Sequence, residues 1–474
     1  MKNETIWNQY RINENYENEI TKTDILIIGG GITGISCAYF LKDTNYKISL
    51  IDKSKITMGV TSKTTAKISY LQGTIYQDIE KIFNFNMAHK YLLSQLDAIN
   101  IINNIIKKNN IECDLKKVDS ILFAAKKNNI KKVFKEKELL RKMGIKTKTI
   151  KEKNYLIKVN DTYVFNPIKY LNEILKTIEK KIAISEYTTA MKIKKENNYY
   201  KINTNKGIII AKIVIVACHY PFFIYPAFIP LKTYIKREYV TAAKYKNNNH
   251  DYSLINVDKN LHSIRFYKDY ILYGSNNHKL TTKINYQKHY QNTKMEFYKN
   301  FKTEAEYIWM NQDIVSHDKL PFIGQIHQNL YIATAYNAWG MTNGTIAAKI
   351  ITDLITNNKS KYQNLFDPKR VNIPLLINSF LGTFSYLKVY IETLFKKNNP
   401  NYIKIKNIVY GIYKDENKQN HYIKLICPHM KCLLTFNQQE KTWDCPCHGS
   451  RFDIDGNLIE GPAKKNLKAK TEKD

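Results

Sequence analysis

The fold of most of the chain is decided by Asp24-Ile25-Leu26-Ile27-Ile28-Gly29-Gly30-Gly31-Ile32-Thr33-Gly34. A short apolar run rich in β-branched residues is typical of a buried parallel strand. The run enters a G-x-G-x-x-G turn, which opens an apolar helix through Phe40 and Leu41. A second strand, Lys47-Ile48-Ser49-Leu50-Ile51, ends at Asp52. The pattern predicts a complete β-α-β unit with an acidic residue at its far end.

This unit has the properties of a dinucleotide site. Gly29 permits the tight turn, Gly31 lets the backbone approach a pyrophosphate, and Gly34 allows the helix to pack closely against the strand. The helix N-terminus presents free N–H groups to the phosphates, and Asp52 can accept a hydrogen bond from a ribose hydroxyl. The unit by itself does not distinguish FAD from NAD.

The charge of the chain is large and evenly spread. The net charge of the 474 residues is +32, and the lysines alternate with Asn and Ile along the whole sequence. A nucleic-acid-binding protein would cluster Lys and Arg in a recognisable module, so we expect no nucleic-acid partner. A compositional bias explains the charge, and a general attraction to anionic substrates or surfaces stays open. The length predicts roughly three domain-sized units.

Neither a secretory signal nor a membrane span is expected. The chain starts Met1-Lys2-Asn3-Glu4, without the apolar region of a signal peptide. Residues 213–231 carry no formal charge, but prolines interrupt them, and the apolar stretch 373–395 contains Pro374, Lys388 and Glu392. We expect a strand and extended loop in the first stretch and a linker helix in the second. The predicted location is cytoplasmic.

Two Cys- and His-containing clusters near the C-terminus predict a metal centre. They read Cys427-Pro428-His429-Met430-Lys431-Cys432 and Cys445-Pro446-Cys447-His448-Gly449-Ser450-Arg451-Phe452. Two thiolates and two imidazoles suit either tetrahedral zinc or an iron–sulfur centre. Zinc sites usually space paired cysteines two to four residues apart, whereas each cluster here mixes Cys with His. This favours a binuclear cluster with both Cys on one iron and both His on the other, and a structural zinc protein stays the alternative.

The two clusters resemble the signature of Rieske [2Fe–2S] proteins, C-x-H-x-x-C followed by C-x-C-H-G-S. The resemblance implies four cluster ligands, namely Cys427, His429, Cys445 and His448. It also implies a disulfide between Cys432 and Cys447. The sequence departs from the signature at Met430-Lys431, where Leu-Gly is usual. Phe452 replaces a Tyr that respiratory Rieske proteins often carry, and losing that hydroxyl predicts a lower reduction potential.

Three further segments resemble FAD-dependent oxidoreductases of the D-amino-acid-oxidase-like class, which includes glycine and sarcosine oxidases. The first is the small polar loop 59–67, and the second is Asp318-Lys319-Leu320-Pro321-Phe322-Ile323-Gly324. The third is Tyr336-Asn337-Ala338-Trp339-Gly340-Met341-Thr342-Asn343-Gly344, which follows a strand and opens a helix. In that class the third segment lies against the flavin ring.

The resemblance implies FAD as the cofactor. It also implies a set of FAD-contacting residues from these segments, from the β-α-β unit and from the small residue that ends the strand near 217. These are Gly29, Gly31, Gly34, Asp52, Lys53, Thr61, Thr64, Thr65, Ala66, Lys67, Ala217, Asp318, Pro321, Gly324, Trp339, Gly340, Met341 and Thr342.

The substrate residues are less clearly marked in the sequence. Between 225 and 311 the strands are longer and rich in Tyr, which suggests an antiparallel sheet like the substrate domain of that class. Four side chains there are candidates for the substrate side of the flavin: Arg237, Tyr239, Arg265 and His278. An Arg could pair with a substrate carboxylate through two hydrogen bonds. Cys218 and His219 are weak candidates for a catalytic dyad, because adjacent strand residues point to opposite faces.

The predicted architecture is α/β with an α+β substrate subdomain. Residues 1–358 form a Rossmann-like FAD-binding domain with an antiparallel substrate sheet. The FAD-binding parts are about 20–85, 155–225 and 312–358, and the substrate parts are about 86–154 and 226–311. Residues 359–401 form a linker with a helix, and 402–474 form a small all-β Rieske domain.

The predicted activity is that of an oxidoreductase with two redox cofactors. FAD would oxidise a small substrate, of the amine or amino-acid class, and pass electrons through the cluster to an external partner that the sequence does not name; the flow could also run in reverse. An electron-transfer or redox-sensing protein without a metabolic substrate and a flavin-dependent monooxygenase are the alternatives.

Overall fold

The computed structural model describes residues 1–151, 155–245, 250–280, 284–394, 402–405, 408–415 and 418–469. Its α-helices are α1 Ile32–Leu41, α2 Ile75–Ile82, α3 Phe85–Lys108, α4 Ile130–Lys142, α5 Pro167–Ile178, α6 Tyr286–Phe301, α7 Gly340–Asn357 and α8 Ile373–Leu394. Short 3-10 helices occupy Ile6–Tyr10, Val60–Lys63, Lys127–Asn129 and Ile229–Lys232.

The strands form four sheets. In chain order they are β1 Lys22–Ile28, β2 Ile48–Ile51, β3 Lys67–Ile68, β4 Lys116–Phe123, β5 Lys148–Lys151, β6 Tyr155–Val164, β7 Ala183–Ser185, β8 Ala190–Glu196, β9 Tyr199–Thr204, β10 Gly207–Val216, β11 Thr233–Lys244, β12 Tyr252–Asn256, β13 Ser263–Tyr267, β14 Tyr270–Lys279, β15 Tyr307–Ser316, β16 Phe322–His327, β17 Leu330–Thr334, β18 Tyr402–Ile405, β19 Ile408–Lys414, β20 Asn420–Lys424, β21 Thr435–Asn437, β22 Thr442–Asp444, β23 Arg451–Phe452 and β24 Leu458–Glu460.

The first sheet contains the predicted β-α-β unit. Its order is β16-β17-β10-β1-β2-β7, with β9 on β10 and β8 on β9. β1 lies between two parallel neighbours, so that Ile27 is opposite Ile215 of β10 and Leu50 of β2. All three side chains are fully buried, as expected for a parallel sheet covered on both faces. The predicted α/β class is confirmed.

Glycines allow the first turn to pack against its neighbours. Gly29 has a φ of 113°, and a Cβ there would lie 2.6 Å from the carbonyl oxygen of Ala217. A Cβ on Gly34 would overlap the carbonyl oxygen of Gly29. Gly31 caps α1 without a side-chain hydrogen bond of its own; Ile32 N–H donates to the Thr61 hydroxyl, and the next backbone N–H groups of the helix start are left for a ligand. The turn therefore brings bare backbone to the carboxyl end of β1.

The second sheet has nine strands in the order β15-β11-β14-β13-β12-β4-β6-β3, with β5 on β6. Most neighbours are antiparallel, as the Tyr-rich strands predict, and only β4 and β12 pair in parallel. β6 and β15 lie in this sheet, although all of β6 and half of β15 fall in the predicted FAD-binding parts 155–225 and 312–358. The alternation within a strand does not encode its partner, so the sequence could not assign these two strands to a sheet.

The C-terminal domain is all-β, as predicted. β18, β19 and β20 form one small sheet, and β21 to β24 form another. Trp443 and Phe452 are fully buried in its apolar core. The linker helix α8 packs on both halves of the chain: Leu375 belongs to an apolar cluster of the first sheet, and Val389 belongs to the core of the C-terminal domain. The predicted end of this helix, Phe395, lies outside the described residues.

A buried ion pair joins the two halves. Arg237 of β11 donates from Nη1 to Oδ2 of Asp444 of β22 at 2.8 Å, and both side chains are fully buried. Asp444 also accepts from Nε of Arg451 at 3.3 Å and from the Thr442 hydroxyl at 2.9 Å. Burial raises the pKa of Asp444, but the charges of Arg237 and Arg451 outweigh it, so the net shift is downward.

Replacing Gly34 by Ala should destabilise the protein by about 1–3 kcal/mol or more, because the new methyl group must displace the Gly29 carbonyl. Gly382→Ala is the matched control, since its Cβ would meet only the ring of His317 at 3.6 Å, an ordinary contact. Alanine is also the better helix former there. Thermal unfolding of both variants checks this; equal midpoints would contradict the packing role of Gly34.

Replacing Asp444 by Asn should undock the C-terminal domain, because the buried Arg237 loses its acidic partner while Arg451 keeps Glu440 and Glu460, at a cost of about 3–5 kcal/mol. Since the pKa of Asp444 is lowered in the folded state, its contribution is present at neutral pH and is lost as the pH falls below the ordinary Asp range. Small-angle scattering should show a larger radius of gyration. Asp455→Asn, which removes an exposed partner of His421, should leave it unchanged.

Candidate functional site

A cavity of about 500 Å³ opens at the carboxyl end of β1. It lies where the first sheet, the second sheet and the C-terminal domain meet. Half of the residues predicted to contact FAD line it, namely Gly29, Gly31, Asp52, Lys53, Thr61, Thr64, Ala217, Gly340 and Met341. Its size is within the usual range for ligand sites in proteins.

The donor set of the cavity fits a dinucleotide. The N-termini of α1 and α7 both reach it, at Gly31 and Gly340 respectively. Neither N-cap residue makes a side-chain cap bond, and the Ile32 N–H donates to the Thr61 hydroxyl at 3.1 Å, so the other first-turn N–H groups of the two helices can meet a pyrophosphate. Lys53 and Lys63 add positive charge to the wall. Asp52 accepts from the backbone N–H of Gly30 at 2.7 Å, which holds its carboxylate beside the turn.

Three predicted FAD residues of the polar loop lie outside the cavity wall. Lys67 is buried and donates to the Leu254 carbonyl and to the Ser263 hydroxyl, both at 2.7 Å. Its burial lowers its pKa to about 7. The carbonyls of Thr65 and Ala66 accept from Arg265 at 2.6 and 2.8 Å. The end of the polar loop is therefore held by strands of the second sheet.

The Asp318-x-x-Pro321-x-x-Gly324 motif is anchored to the segment after α7. Asp318 is bound by Arg370 through two hydrogen bonds of 2.7 and 2.8 Å, and Arg370 also donates to the Pro321 carbonyl. Gly324 has a φ of 136°, which favours glycine, and lies beside Pro368. The motif thus supports the strand that leads to the α7 turn.

Three further predicted FAD residues do not line the cavity, although each is next in sequence to a residue that does. Gly34 lies inside α1. Thr342 is buried and accepts from Gln72 at 3.3 Å. Trp339 precedes α7 and packs against the main apolar core.

None of the four predicted substrate residues lines the cavity. Arg237 forms the buried ion pair with Asp444 of the C-terminal domain. Tyr239 bonds Nε2 of His278 at 3.1 Å, and its ring stacks on His278 and His289. Arg265 is fully buried and donates to carbonyls of the polar loop and to that of Phe165 at 3.0 Å. The structure thus shows each of the four bonded to residues outside the cavity wall, and a role toward a substrate stays a prediction.

Arg237 does not reach the cavity because alternate residues of β11 point to opposite faces of the sheet. Its neighbour β15 pairs Gln312 with Arg237, and Asn311 with Glu238. Gln312 donates to the Gly449 carbonyl of the C-terminal domain at 3.0 Å, whereas Asn311 lines the cavity. Cross-strand partners share a face, so Arg237 and Gln312 face the C-terminal domain. The alternate positions belong to the cavity side.

The cavity side of β15 supplies an acid that the sequence reasoning missed. Asp313 lines the cavity, and its Oδ2 accepts from Nδ2 of Asn311 at 2.8 Å. Burial raises the pKa of Asp313 to about 7, and the neighbouring Glu238 adds to the shift. The available signal was the polar run Asn311-Gln312-Asp313 inside an otherwise buried strand, which is unusual in a core element.

Oxygen acceptors without donors face this part of the cavity. Among the described residues, Oδ1 of Asn311 and Oε1 of Glu460 are buried and have no hydrogen-bond partner. Glu460 comes from β24 of the C-terminal domain and also lines the cavity. Burial raises its pKa, but Lys63 and Arg451 outweigh that effect, and the net shift is downward. Buried acceptors of this kind require a donor-bearing ligand or water.

Cys218 and His219 both line the cavity, because β10 ends at Val216 and the strand alternation does not extend to them. The Cys218 thiol donates to the Tyr220 carbonyl at 3.3 Å, and burial raises its pKa to about 12. Nε2 of His219 bonds the Gln312 carbonyl at 3.0 Å. Each side chain is thus engaged elsewhere.

The two C-terminal loops form a site that fits a binuclear cluster. Cys427 and Cys445 are buried free thiols. Nδ1 of His429 and Nδ1 of His448 are buried and lack a partner among the described residues. The two imidazole rings lie 4.9 Å apart. Two thiols beside two orphaned imidazole nitrogens match the ligand types of a Rieske centre.

A disulfide joins Cys432 to Cys447 and ties the two loops together. The sulfurs of Cys432, Cys445 and Cys447 lie within 4.8 Å of one another. They do not form a separate metal site, because the disulfide removes two of the three thiolates. Ser450 accepts from the backbone N–H of Ala463 at 2.9 Å and hydrogen-bonds the Cys427 thiol. Phe452 is fully buried in the domain core.

The domain that carries the cluster loops also forms part of the cavity wall. Residues 458–464 line the cavity, and Nζ of Lys53 donates to the Ile459 carbonyl at 2.7 Å. Gln312 spans the junction, since its own carbonyl bonds His219 on the cavity and its side chain bonds Gly449 in the second cluster loop. A single residue, Gln312, therefore bridges the cavity and the second cluster loop.

Comparison with known proteins agrees with this arrangement. Residues 24–354 match the family model of FAD dependent oxidoreductases, and residues 386–471 match that of the Rieske [2Fe-2S] domain. The chain is 30% identical to YhfW of Bacillus subtilis (strain 168), over 95% of this chain and 94% of that protein. The name of YhfW provisionally assigns it as a Rieske 2Fe-2S iron-sulfur protein.

Solved structures share the fold of the larger part. Glycine oxidase from Geobacillus kaustophilus superposes with a TM-score of 0.63 at 12% identity, covering 74% of this chain and 99% of that chain. L-proline dehydrogenase from P.horikoshii superposes with a TM-score of 0.60 at 19% identity, covering 74% and 98%. The chain belongs to the FAD dependent oxidoreductase family and carries a C-terminal Rieske [2Fe-2S] domain.

Proposed function

We propose that the protein oxidises a small amine or amino acid at FAD and passes the electrons through the [2Fe-2S] cluster to an external acceptor. The observation that carries this proposal is the set of oxygen acceptors in the cavity. Asn311 and Glu460 present buried oxygens without donors, and Asp313 adds a carboxyl group beside them. An amine supplies the N–H donors that these oxygens lack.

Asp313 is the proposed proton acceptor. An amine must lose a proton to become a hydride donor, and a base works best when its pKa is close to the working pH. The pKa of Asp313, raised to about 7, meets this condition. Asn311 holds Oδ2 of this carboxylate, which leaves Oδ1 to take the proton. When bound, FAD supplies the hydride acceptor and the cluster supplies a one-electron acceptor.

The other wall residues position the ligands. Lys53 and Lys63 offer positive charge to the cofactor phosphates or to a substrate carboxylate. Glu460 reaches the same cavity from the Rieske domain, so substrate binding would depend on that domain being docked. Residues 458–464 also close one side of the cavity, which restricts the entry of water. Both domains thus contribute to one site.

The cluster assignment predicts a change in the electron paramagnetic resonance spectrum. The purified protein, reduced with dithionite, should give a rhombic Rieske-type signal. His429→Cys should abolish or alter it, because the histidine ligands set the electronic character of the cluster. His421→Asn removes a histidine of the same domain that bonds only Asp415 and Asp455, and should leave the signal unchanged. An unaltered signal in the His429 variant would refute its role as a ligand.

The base assignment predicts a pH profile. Since Asp313 must be deprotonated to act, kcat/KM should rise with pH through about 7 and then level off. Asp313→Asn should lower kcat/KM by about 10²–10⁴-fold and remove this limb. A panel of glycine, L-proline and primary amines, assayed by anaerobic bleaching of the flavin, provides the measurement. Asp353→Asn on α7 is the control; a retained limb in the Asp313 variant would assign the base elsewhere.

A further inference from the structure

The outer surface of α8 is apolar and exposed. Its residues recur at spacings of three and four, as one stripe along a helix. Each is between 44% and 72% exposed: Ile373, Leu376, Ile377, Phe380, Leu381, Phe384, Leu387 and Ile391. Monomeric proteins rarely leave a continuous apolar surface of this length open to water. We refer to these eight residues as the outer face of α8.

The opposite side of α8 fixes the orientation of this face. Leu375 and Val389 are buried in apolar clusters of the two halves of the molecule. The Tyr386 ring stacks on the His448 ring with centroids 4.7 Å apart. A Cβ on Gly382 would contact His317 of the larger domain. The helix is therefore anchored along its inner side and cannot rotate to bury the outer face.

A second segment extends the apolar surface. Ile224, Tyr225, Phe228 and Leu231 are between 41% and 73% exposed, and no charged residue occurs between 221 and 231. This loop leads into the 3-10 helix Ile229–Lys232, which packs against α8. Together with the outer face of α8, these four residues form what we term the apolar platform. About half of the exposed large apolar side chains of the described residues belong to it.

Charge decides what covers the platform. A second copy would pair this surface with itself and bring a net charge of +32 against +32. In sequence, Lys369 precedes α8, and Lys396 and Lys397 follow it. An anionic lipid surface attracts such basic flanks. No described helix is long and apolar enough to cross a bilayer, but an interfacial helix needs only one apolar face.

We propose that the apolar platform seats the protein on an anionic lipid bilayer, with α8 lying in the plane of the interface. The apolar side chains enter the boundary between headgroups and acyl chains, to a depth of about 5–10 Å. Because His448 stacks on Tyr386 on the inner side of α8, the second cluster loop is held about one helix diameter, roughly 10–12 Å, from the lipid. The inference concerns a binding surface and does not depend on which substrate reacts at the flavin.

Vesicle sedimentation tests the proposal with the full-length holoprotein. The protein should sediment with vesicles of mixed phosphatidylcholine and phosphatidylglycerol, and less with phosphatidylcholine alone or at high salt. The triple variant Leu376→Gln, Phe380→Gln, Phe384→Gln should bind at least about tenfold more weakly, because it removes three apolar contacts with the acyl region. The exposed positions of these residues allow the variant to fold, which its unfolding midpoint and flavin spectrum verify.

The control variant is Met295→Gln, Tyr298→Gln on α6, where both side chains are exposed apolar groups outside the platform. It should bind vesicles like the natural sequence. Equal binding by the triple variant would overturn the proposal, as would the absence of any binding. Sedimentation velocity covers the second-copy alternative: a dimer that the triple variant dissociates, without vesicle binding by either protein, would also overturn it.

Discussion

The arrangement of both predicted cofactor sites depends on the buried ion pair between Arg237 and Asp444. It is the point where β11 of the larger domain meets β22 of the Rieske domain. Two fully buried charges are stable only when each is matched, and the match fixes the orientation of the two domains. Gln312, which bonds Nε of Arg237 at 2.9 Å, then lies between the cavity and Gly449. A single polar network therefore aligns the junction.

The parts that the sequence predicts well are those with local causes. The β-α-β unit is defined by adjacent residues whose spacing sets both the turn and the periodicity, so Gly29 to Asp52 lie as predicted. The Cys and His residues of the Rieske loops are likewise close in sequence. The resemblance to the Rieske signature implies the disulfide between Cys432 and Cys447, which the structure contains. Here local sequence and tertiary structure carry the same information.

The substrate side of the cavity could not be predicted in the same way. A strand presents alternate residues to opposite faces, and on β15 Asn311 and Asp313 line the cavity, whereas Gln312, the partner of Arg237, lies on the other face. Which face is the cavity side depends on the docking of a domain some two hundred residues later in the chain, through Asp444. Glu460 could not be predicted for the same reason: it reaches the cavity only because its domain docks there, and its neighbours in sequence do not mark it as a cavity residue.

The anchored helix α8 explains why a fixed Rieske domain is compatible with an external redox partner. A cluster domain that has to move between donor and acceptor needs a weak, exposed interface, whereas this one is held by buried charges and by α8 on its flank. The external acceptor that we propose would then approach the docked domain from outside. The proposed lipid-binding face is on the outer side of α8, and His448 of the cluster loop stacks on Tyr386 on its inner side. The same helix therefore holds the Rieske domain in place and would set the distance between the cluster and a partner at the membrane.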